Sequence, residues 1–352
     1  MSHVIRTRFE SLGSYTPSES LSTDELIGRL NSERPLDLGA ITGIRNRRIY
    51  NRAPEHYESS LMLAQRAIAD CLQRSDHAPT DLDVVISASI TRTVGPGLFS
   101  FEPSLALQVR NAIGAHRAIH FDVGNACAGM VTGIMVLDRM IRSGAVRRGI
   151  VVSGEQITPI AETAAREITE RYDPQFAALT VGDAAVAVVL DDAGDADDAI
   201  HYVDVMTSAA AAQHCIGMPS DRSGAMAMYT DNRAMHNEAR YMQGIQRMSD
   251  FLAETGRDWN SENYDFWIHH QFSAPAITYI SELTAKHFGT TVPETLNVLE
   301  EFGNTASTSH FVVLHEHLKA QRVPKGSKVL MIPSASGMVY GYLAATISRL
   351  GR

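Results

Sequence analysis

Two spacings of apolar residues alternate along this chain, and each change from one to the other predicts a change of secondary structure. Ser59 to Leu72 (SSLMLAQRAIADCL) repeats its apolar positions at helical spacing, and Leu82 to Ile90 (LDVVISASI) is a β-branched apolar run that predicts a strand. Pro103 to Ile113 predicts a helix, with proline in its first turn and Gly114 as its stop. Arg117 to Val123 predicts a strand, Cys127 to Ile141 a helix, and Arg148 to Ser153 a further strand. The Cys127 helix is apolar nearly all round, the pattern of a helix buried on every side, and strands without polar alternation are covered on both faces. Together these segments predict an α/β fold in which helices cover both faces of a sheet.

The acidic, small-residue stretch Asp191 to Asp198 (DDAGDADD) interrupts the pattern and predicts an exposed connection between two units, residues 1–195 and 196–352. Ser208 to Met228 has no clear period and is expected in loops. Order then returns, with Asp265 to Ile268 as a strand, Pro275 to Phe288 as a helix and Leu296 to Leu299 as a strand. Thr305 to Lys319 predicts a helix, and Lys328 to Pro333 and Val339 to Ile347 predict the last strands. Val123-Gly-Asn-Ala precedes the buried helix of the first unit, and Phe302-Gly-Asn-Thr precedes the corresponding helix of the second. Each helix is followed by a basic turn and a strand, so a duplicated unit is expected.

Composition narrows the function. With 352 residues, 44% hydrophobic and 20% charged, the chain is globular and large enough for a substantial core. A net charge of −9 argues against binding nucleic acid or an anionic membrane, since neither polyanion is drawn to such a field. The N-terminus, Met1-Ser-His-Val-Ile-Arg6, lacks the apolar region of a signal peptide. No apolar run reaches the roughly 18 residues of a membrane span, and a cytoplasmic protein is expected. Three widely separated cysteines, Cys71, Cys127 and Cys215, make neither a disulfide framework nor a metal cluster, so a reducing compartment and no metal are expected.

Cys127 stands where a strand hands over to the buried helix. The unpaired N–H groups and partial positive charge of a helix N-terminus stabilise a thiolate, and the same N–H groups hold an oxyanion. Free cysteine is also among the most buried residue types, so position alone does not separate a nucleophile from core filling. His269 and His270 close a strand in Trp267-Ile-His-His-Gln-Phe272, at the end where α/β sheets bind ligands. Alternation along a strand sends at most one of the two into a site lying on one side. Asn304 follows a glycine just before a helix, where capping is the simplest role. All three residues nevertheless lie at strand-to-helix handovers, which a pseudo-symmetric pair of units brings toward one centre. Cysteine supplies a nucleophile, histidine a proton acceptor and donor, and asparagine a neutral donor to a developing oxyanion.

With these motifs in order, the chain resembles the thiolase-superfamily condensing enzymes, specifically the β-ketoacyl-acyl-carrier-protein synthase III branch. The resemblance runs through Gly43-Ile-Arg-Asn-Arg-Arg-Ile49, Asn125-Ala-Cys-Ala-Gly129, Ser143-Gly-Ala-Val146, Gly182-Asp-Ala-Ala-Val-Ala-Val-Val-Leu190, His270-Gln271, Gly303-Asn-Thr-Ala-Ser307 and Tyr340-Gly341. It implies a thiolase-like fold, with duplicated αβαβα layers and mixed sheets about a pseudo-two-fold axis. It also implies a homodimer, acyl thioesters of coenzyme A or an acyl carrier protein as substrates, and no other cofactor. The family's Cys-His-Asn triad carries over to Cys127, His270 and Asn304. Its oxyanion hole carries over to the Cys127 N–H and the turn from Ser334 to Gly337, with Ser336 and Gly337 at the tip. Phe101-Glu-Pro-Ser104, Phe121-Asp-Val-Gly-Asn-Ala-Cys127 and Phe176-Ala-Ala-Leu-Thr180 are similar to the bacterial olefin-pathway thiolases and related natural-product synthases. That likeness implies that Glu102 reaches the site of the partner subunit and serves as a base, needed where an α-proton rather than carbon dioxide must leave.

The chain departs from the pattern at three places. The family's Gly-rich turn is Ala335-Ser-Gly337, the asparagine three residues after the motif histidine is Ser273, and Asp37 stands where primary-metabolism members carry a tryptophan. A carboxylate cannot stack on adenine and repels phosphates. The implied reaction is acylation of Cys127 by a thioester, followed by Claisen condensation, decarboxylative or not, with a second acyl thioester to give a β-keto product. The alternative is a tailoring acyltransferase that moves the Cys127-bound acyl group to an alcohol or amine. A non-catalytic partner subunit fits poorly with the retained triad. A papain-type hydrolase fits poorly with the position of Cys127 and the lack of a disulfide framework.

Overall fold

The computed structural model describes residues 5–30 and 37–350. Met1 to Val4, on which the reading of the N-terminus partly rests, lie outside the described residues. Two mixed sheets carry the fold. The first is built from β1 (Arg8–Tyr15), β2 (Val84–Ser87), β3 (Ile119–Asp122), β4 (Arg148–Glu155) and β5 (Ala184–Asp191). Its order is β1-β5-β4-β2-β3, with β2 parallel to β3 and β4 and the other pairs antiparallel. The second contains β6 (Ala199–Thr207), β7 (Phe266–His269), β8 (Glu294–Thr295), β9 (Ser327–Ile332) and β10 (Val339–Ile347). Its order is β6-β10-β9-β7-β8, with the short strand Ser334–Ala335 also paired to β10. Every strand of the second sheet thus repeats the place, and the parallel or antiparallel neighbours, of the strand five before it.

Seven helices matter for the site: α1 (Ser60–Gln73), α2 (Leu105–Ala112), α3 (Gly129–Arg142), α4 (Thr158–Glu167), α5 (Glu238–Glu254), α6 (Ala274–Phe288) and α7 (Ser309–Lys319). Alternation along the strands explains their layering. Ile86, Val151, Val188, Val329, Met331 and Leu343 point to the inner faces and share one core with Ile134 and Leu137 of α3 and Phe311 and Val312 of α7. Their neighbours Val85, Ile150, Val152 and Val189 point outward onto α1 and Val109 of α2. Leu330, Tyr342 and Ala344 point outward from the second sheet toward Met248 and Leu252 of α5. The layers are therefore helix, sheet, helix, sheet, helix, and the central helices are buried on nearly every side, as the apolar circumference of α3 requires.

The structure corrects three expectations. The stretch Asp191 to Asp198 is not exposed throughout: Asp191 ends β5, and both Asp191 and Asp198 are buried beside Arg8. Ser208 to Met228 is not all loop: a 3-10 turn at Ala209–His214 leads into a hairpin of Cys215–Pro219 with Met226–Thr230. Ile216, Met218 and Met226 are exposed on that hairpin, so it lacks the one-sided burial that alternation reports. Leu296 to Leu299 is not a strand; β8 ends at Thr295 and a helical turn begins at Leu299, with Leu296 and Leu299 both buried at helix-like spacing. Strands β1, β5 and β6 and helices α4 and α5 complete the architecture without having been singled out from periodicity. Among the described residues no helix is long and apolar enough to cross a membrane.

Asp183, at the head of β5, is fully buried and shows what its Gly-Asp motif does. Its carboxylate accepts from the N–H of Tyr50 (2.8 Å), Ile157 (2.6 Å) and Thr158 (2.8 Å) and from the Thr158 hydroxyl (2.6 Å). Two of these donors are orphan groups at the start of α4, so one side chain ties that helix, β5 and the Tyr50 segment together. Asp183→Ala leaves all four donors buried without a partner. Urea unfolding is expected to show a loss of about 3–5 kcal/mol, well beyond a surface substitution.

Candidate active site

Cys127 sits in a tight 3-10 turn, Ala126–Ala128, directly ahead of α3, and Ala126 is left-handed with φ 44°. The second half repeats this elbow. Ala306, φ 54°, opens the 3-10 turn Ala306–Thr308 ahead of α7. A left-handed non-glycine residue costs on the order of 1–2 kcal/mol, so two at equivalent places mark a geometry that the fold enforces. The elbows pair Cys127 with Ser307, one residue away from the pairing that the two Gly-Asn motifs suggest.

Asn304 precedes the second elbow and is fixed by backbone. Its N–H donates to the Thr180 carbonyl (2.9 Å), and its carbonyl accepts from the Gly182 N–H (3.0 Å). This approach explains two motif glycines: a Cβ on Gly182 would lie 2.2 Å from the Phe302 carbonyl oxygen, and one on Gly303, at φ 63°, 2.7 Å from that of Thr180. The Asn304 Oδ1 accepts from the Ala306 N–H (3.0 Å), which sets the amide's orientation and leaves Nδ2 as its donor.

His270 follows the last residue of β7, and its N–H donates to the Ile332 carbonyl (3.2 Å). Its Nδ1 is buried and has no partner. The neighbouring His269 commits Nε2 to the Ser281 hydroxyl (3.1 Å). Behind both lies His310 of α7, fully buried, with neither ring nitrogen hydrogen-bonded and its ring centre 6.0 Å from that of His270. Burial, with His310 as the second cause, pushes His269 and His270 down to about 3, and burial pushes His310 down to about 4. All three are neutral at neutral pH.

One cavity of about 1020 Å³ is bordered by Cys127, His270 and Asn304 together. His269 borders it too, so the expectation that only one of the adjacent histidines reaches the site does not hold; His270 has already left the strand and escapes the alternation. The cavity is also bordered by Ser336, whose hydroxyl donates to the Cys215 Sγ (2.8 Å). Ala335 of that turn packs on Ala126 and Cys127, while Gly337, φ 123°, does not border the cavity. The Cys127 thiol is not lowered as a helix N-terminus alone predicts. Burial raises it, and the Cys215 thiol and the buried Glu155 carboxylate raise it further.

Glu102, like Gly337, is a sequence candidate that does not border the cavity: it is exposed, in a loop away from it. Ser273 borders the cavity and caps α6, accepting from the Ala276 N–H (3.4 Å) while its hydroxyl donates to the Ile41 carbonyl (3.0 Å). Asp37 caps the short helix Leu38–Thr42 through the Ala40 N–H (2.9 Å). Sequence reasoning missed Cys215, His310 and Glu155. Only the burial of His310, six residues after Asn304 on an apolar helix, had a signal in the pattern. Among the described residues no group of histidine, cysteine and carboxylate side chains is arranged to hold a metal ion.

Two family models match the chain, 3-oxoacyl-[acyl-carrier-protein] synthase III over residues 121–209 and the C-terminal part of the same family over residues 255–347. The chain belongs to the synthase III family of condensing enzymes. The first match spans the Cys127 elbow, and the second spans His270 and Asn304. The β-ketoacyl-[acyl-carrier-protein] synthase III of Deinococcus deserti is 28% identical over 362 residues, covering 97% of this chain and 91% of the relative. That of Bacillus pumilus is 23% identical over 340 residues, covering 95% and 96%. Among solved structures, OleA of Xanthomonas campestris superposes with a TM-score of 0.80 at 23% identity, covering 98% of this chain and 99% of that one. The 3-oxoacyl-[acyl-carrier-protein] synthase III of Aquifex aeolicus gives 0.78 at 21%, covering 97% and 99%. The thiolase-like fold with mixed sheets is thus the fold of this chain.

The buried histidines carry a pH consequence. Their folded values lie below the ordinary 6.5, so an unfolded chain takes up protons that the folded one refuses. Their contribution to stability is complete above about pH 6.5 and is lost as pH falls toward 3–4, by up to about 1.4 kcal/mol per pH unit for each. Melting curves recorded from about pH 7.5 down to about 4.5 are expected to fall steeply below 6.5. A His310→Phe protein is expected to show a shallower acid limb.

Proposed function

We propose that Cys127, His270 and Asn304 form the catalytic centre of a condensing acyltransferase acting on acyl thioesters in the cytoplasm, with residues 1–195 and 196–352 as its two duplicated units. The observation that carries this reading is that the three side chains, from the two halves of the sequence, border one cavity. The Cys127 sulfur attacks the carbonyl of an acyl thioester of coenzyme A or an acyl carrier protein. A C–S bond to Cys127 forms, the bond to the carrier sulfur breaks, and the cysteine proton leaves with the carrier thiol. The Cys127 N–H at its elbow and a second N–H from the turn at Ser336 and Gly337 receive the oxyanion.

The second thioester then lies with its carbonyl against His270 and Asn304. A neutral imidazole donates one hydrogen bond and the Asn304 Nδ2 another, stabilising the enolate that forms when carbon dioxide or an α-proton leaves. The enolate carbon attacks the acyl carbonyl, a C–C bond forms and the bond to Sγ breaks. Sγ regains a proton, the one taken from the α-carbon or one from solvent where carbon dioxide has left, and a β-keto thioester departs.

Removal of an α-proton needs a base, and Glu102 supplies it from a second copy of the chain. Leu98 (60% exposed), Phe99 (42%) and Phe101 (79%) surround it, and the edge strand β3 exposes Ile119 (52%), an apolar border suited to a two-fold partner.

Intact mass after incubation with acyl thioesters is expected to show an adduct on the wild-type protein and none on Cys127→Ala, which also loses the product. Asn304→Ala is expected to keep the adduct but to lose condensation by about 100- to 1000-fold. A product containing a new ester or amide instead of a new C–C bond overturns condensation in favour of acyl transfer to a heteroatom.

The role of Glu102 has its own test. Cys127→Ala and Glu102→Ala proteins, each inactive, are expected to regain roughly a quarter of wild-type activity when mixed and allowed to exchange subunits, because half the dimers then hold one intact site. No recovery on mixing places Glu102 outside the partner subunit's site.

A further inference from the structure

The cavity extends well past the three candidate catalytic side chains. It continues into the C-terminal half, between the outer face of the second sheet and the helices α5 and α6. Its floor is set by alternation: Leu330 and Ile332 of β9 and Tyr340 and Tyr342 of β10 point outward onto this space, while Met331 and Leu343 point the other way into the central core. Its roof is Ile245 and Met248 of α5 with Ile280 and Thr284 of α6. Its far end is Trp259, stacked on Phe288 at 4.0 Å and 4° and set edge-on to Trp267 at 5.6 Å, which makes a rigid aromatic stop.

The three hydroxyls of this chamber are each committed to a backbone carbonyl. The Tyr342 hydroxyl donates to the Gly244 carbonyl of α5, and the Tyr340 hydroxyl to that of Arg240 (3.4 Å). The Thr284 hydroxyl donates to the Ile280 carbonyl (2.8 Å). A polar ligand placed here would lose its water without gaining a hydrogen bond, whereas an aliphatic one gains from every carbon it buries. Met248, flexible and unbranched, suits a wall that closes on chains of differing lengths. A volume of about 1020 Å³ for the whole cavity leaves space beyond what the thioester and its carrier arm occupy.

Resting on the reading of Cys127 as the acylated nucleophile, we infer that this chamber holds the hydrocarbon tail of the acyl group, and that the enzyme selects long-chain aliphatic acyl thioesters over short or polar ones. Met248 of α5, Ile280 of α6 and Trp259, which all border the chamber, measure the chain. Each methylene that enters adds about fourfold to binding until the end wall is met.

The test loads wild-type protein with acetyl-, octanoyl-, hexadecanoyl- and malonyl-coenzyme A in competition and weighs the intact adducts. The hexadecanoyl adduct is expected to predominate over acetyl by more than about tenfold. Ile280→Trp and, from the opposite wall, Met248→Trp are expected to move the preference toward octanoyl and to cut the ratio of hexadecanoyl to acetyl adduct by about tenfold or more. A wild-type preference for acetyl or malonyl, or a ratio indifferent to both tryptophan variants, overturns the inference.

Binding of hexadecanoyl-coenzyme A to Cys127→Ala protein separates the two layers of the argument. If no thioester forms an adduct on the wild-type protein yet this binding occurs and is weakened by Ile280→Trp, the covalent reading fails and the chamber stands. If adducts form on Cys127 but hexadecanoyl-coenzyme A does not bind the Cys127→Ala protein, the covalent reading stands and the chamber fails.

Discussion

A single buried carboxylate holds the two halves in the register that the site requires. Glu155, at the end of β4, is fully enclosed and accepts from the Ile90 N–H (2.9 Å), the Thr91 N–H (3.1 Å) and hydroxyl (2.9 Å), the Ser153 hydroxyl (3.0 Å) and the Ser307 hydroxyl (2.5 Å). The first four donors belong to the first sheet and the loop after β2. The fifth belongs to the elbow that follows Asn304, and its oxygen also lies 2.7 Å from that of Ser153. Burial pushes the Glu155 carboxyl up, and the donors pull against it. A buried carboxylate is tolerable only when so surrounded, and the loss of one partner leaves the rest exposed to the full desolvation cost. Ser307 therefore cannot drift without upsetting the end of β4, and the elbow that follows Asn304 is tied to the first sheet, which also leads into the Cys127 elbow. The duplication supplies this contact: Ser307 occupies in the second half the place that Cys127 occupies in the first.

Much of the architecture is visible in the hydrophobic pattern, for physical reasons that also mark its limits. The helices α1, α3 and α7 and the strands β2, β4 and β9 are long or fully covered, so their apolar periods are strong. The hairpin Cys215–Pro219 with Met226–Thr230 stands over the cavity with apolar residues on its exposed side, and its pattern carries no one-sided signal. The segment around Leu296 shows that two buried leucines three apart fit either a strand end or a helical turn, a choice settled by the chain reversing into the Asn304 elbow. The Gly-Asn match between the halves was close but one residue out of step, because the left-handed residue is Ala126 in one and Ala306 in the other, and backbone conformation rather than letter identity sets the equivalence.

The site divides in the same way. Cys127, His270 and Asn304 stand at strand-to-helix handovers whose local sequence is distinctive, and such positions can be read one at a time. Glu155, His310 and Cys215 act through contacts between residues far apart in the chain, and no local pattern announces them. His310 looks like one more residue of a buried helix until α7 is seen to lie behind β7. Cys215 looks like a stray thiol until its Sγ is found beside the Ser336 hydroxyl. Asp183 is the intermediate case: its motif was legible, but its task of bracing α4 and the Tyr50 segment required the fold.

Electrostatics and shape then lead to one conclusion about how such a centre works. A thiolate and imidazolium pair needs a polar setting, and this cavity offers the reverse. The thiol is raised by burial and by Glu155, while His270 is held neutral by burial and by His310. In the resting state the reacting groups carry no charge that would favour bound water or a polar substrate. In the reaction proposed for Cys127, His270 and Asn304, negative charge appears only as it proceeds, on the oxyanion at the Cys127 elbow and on the enolate oxygen before His270 and Asn304. Donors that meet charge only at those moments, in a site walled by Met248, Leu330 and Trp259, stabilise the transition states more than the ground state. On that proposal the apolar chamber and the donors are parts of one arrangement: an acyl chain that fills the chamber displaces the water that would otherwise hydrolyse the acyl group or screen the donors.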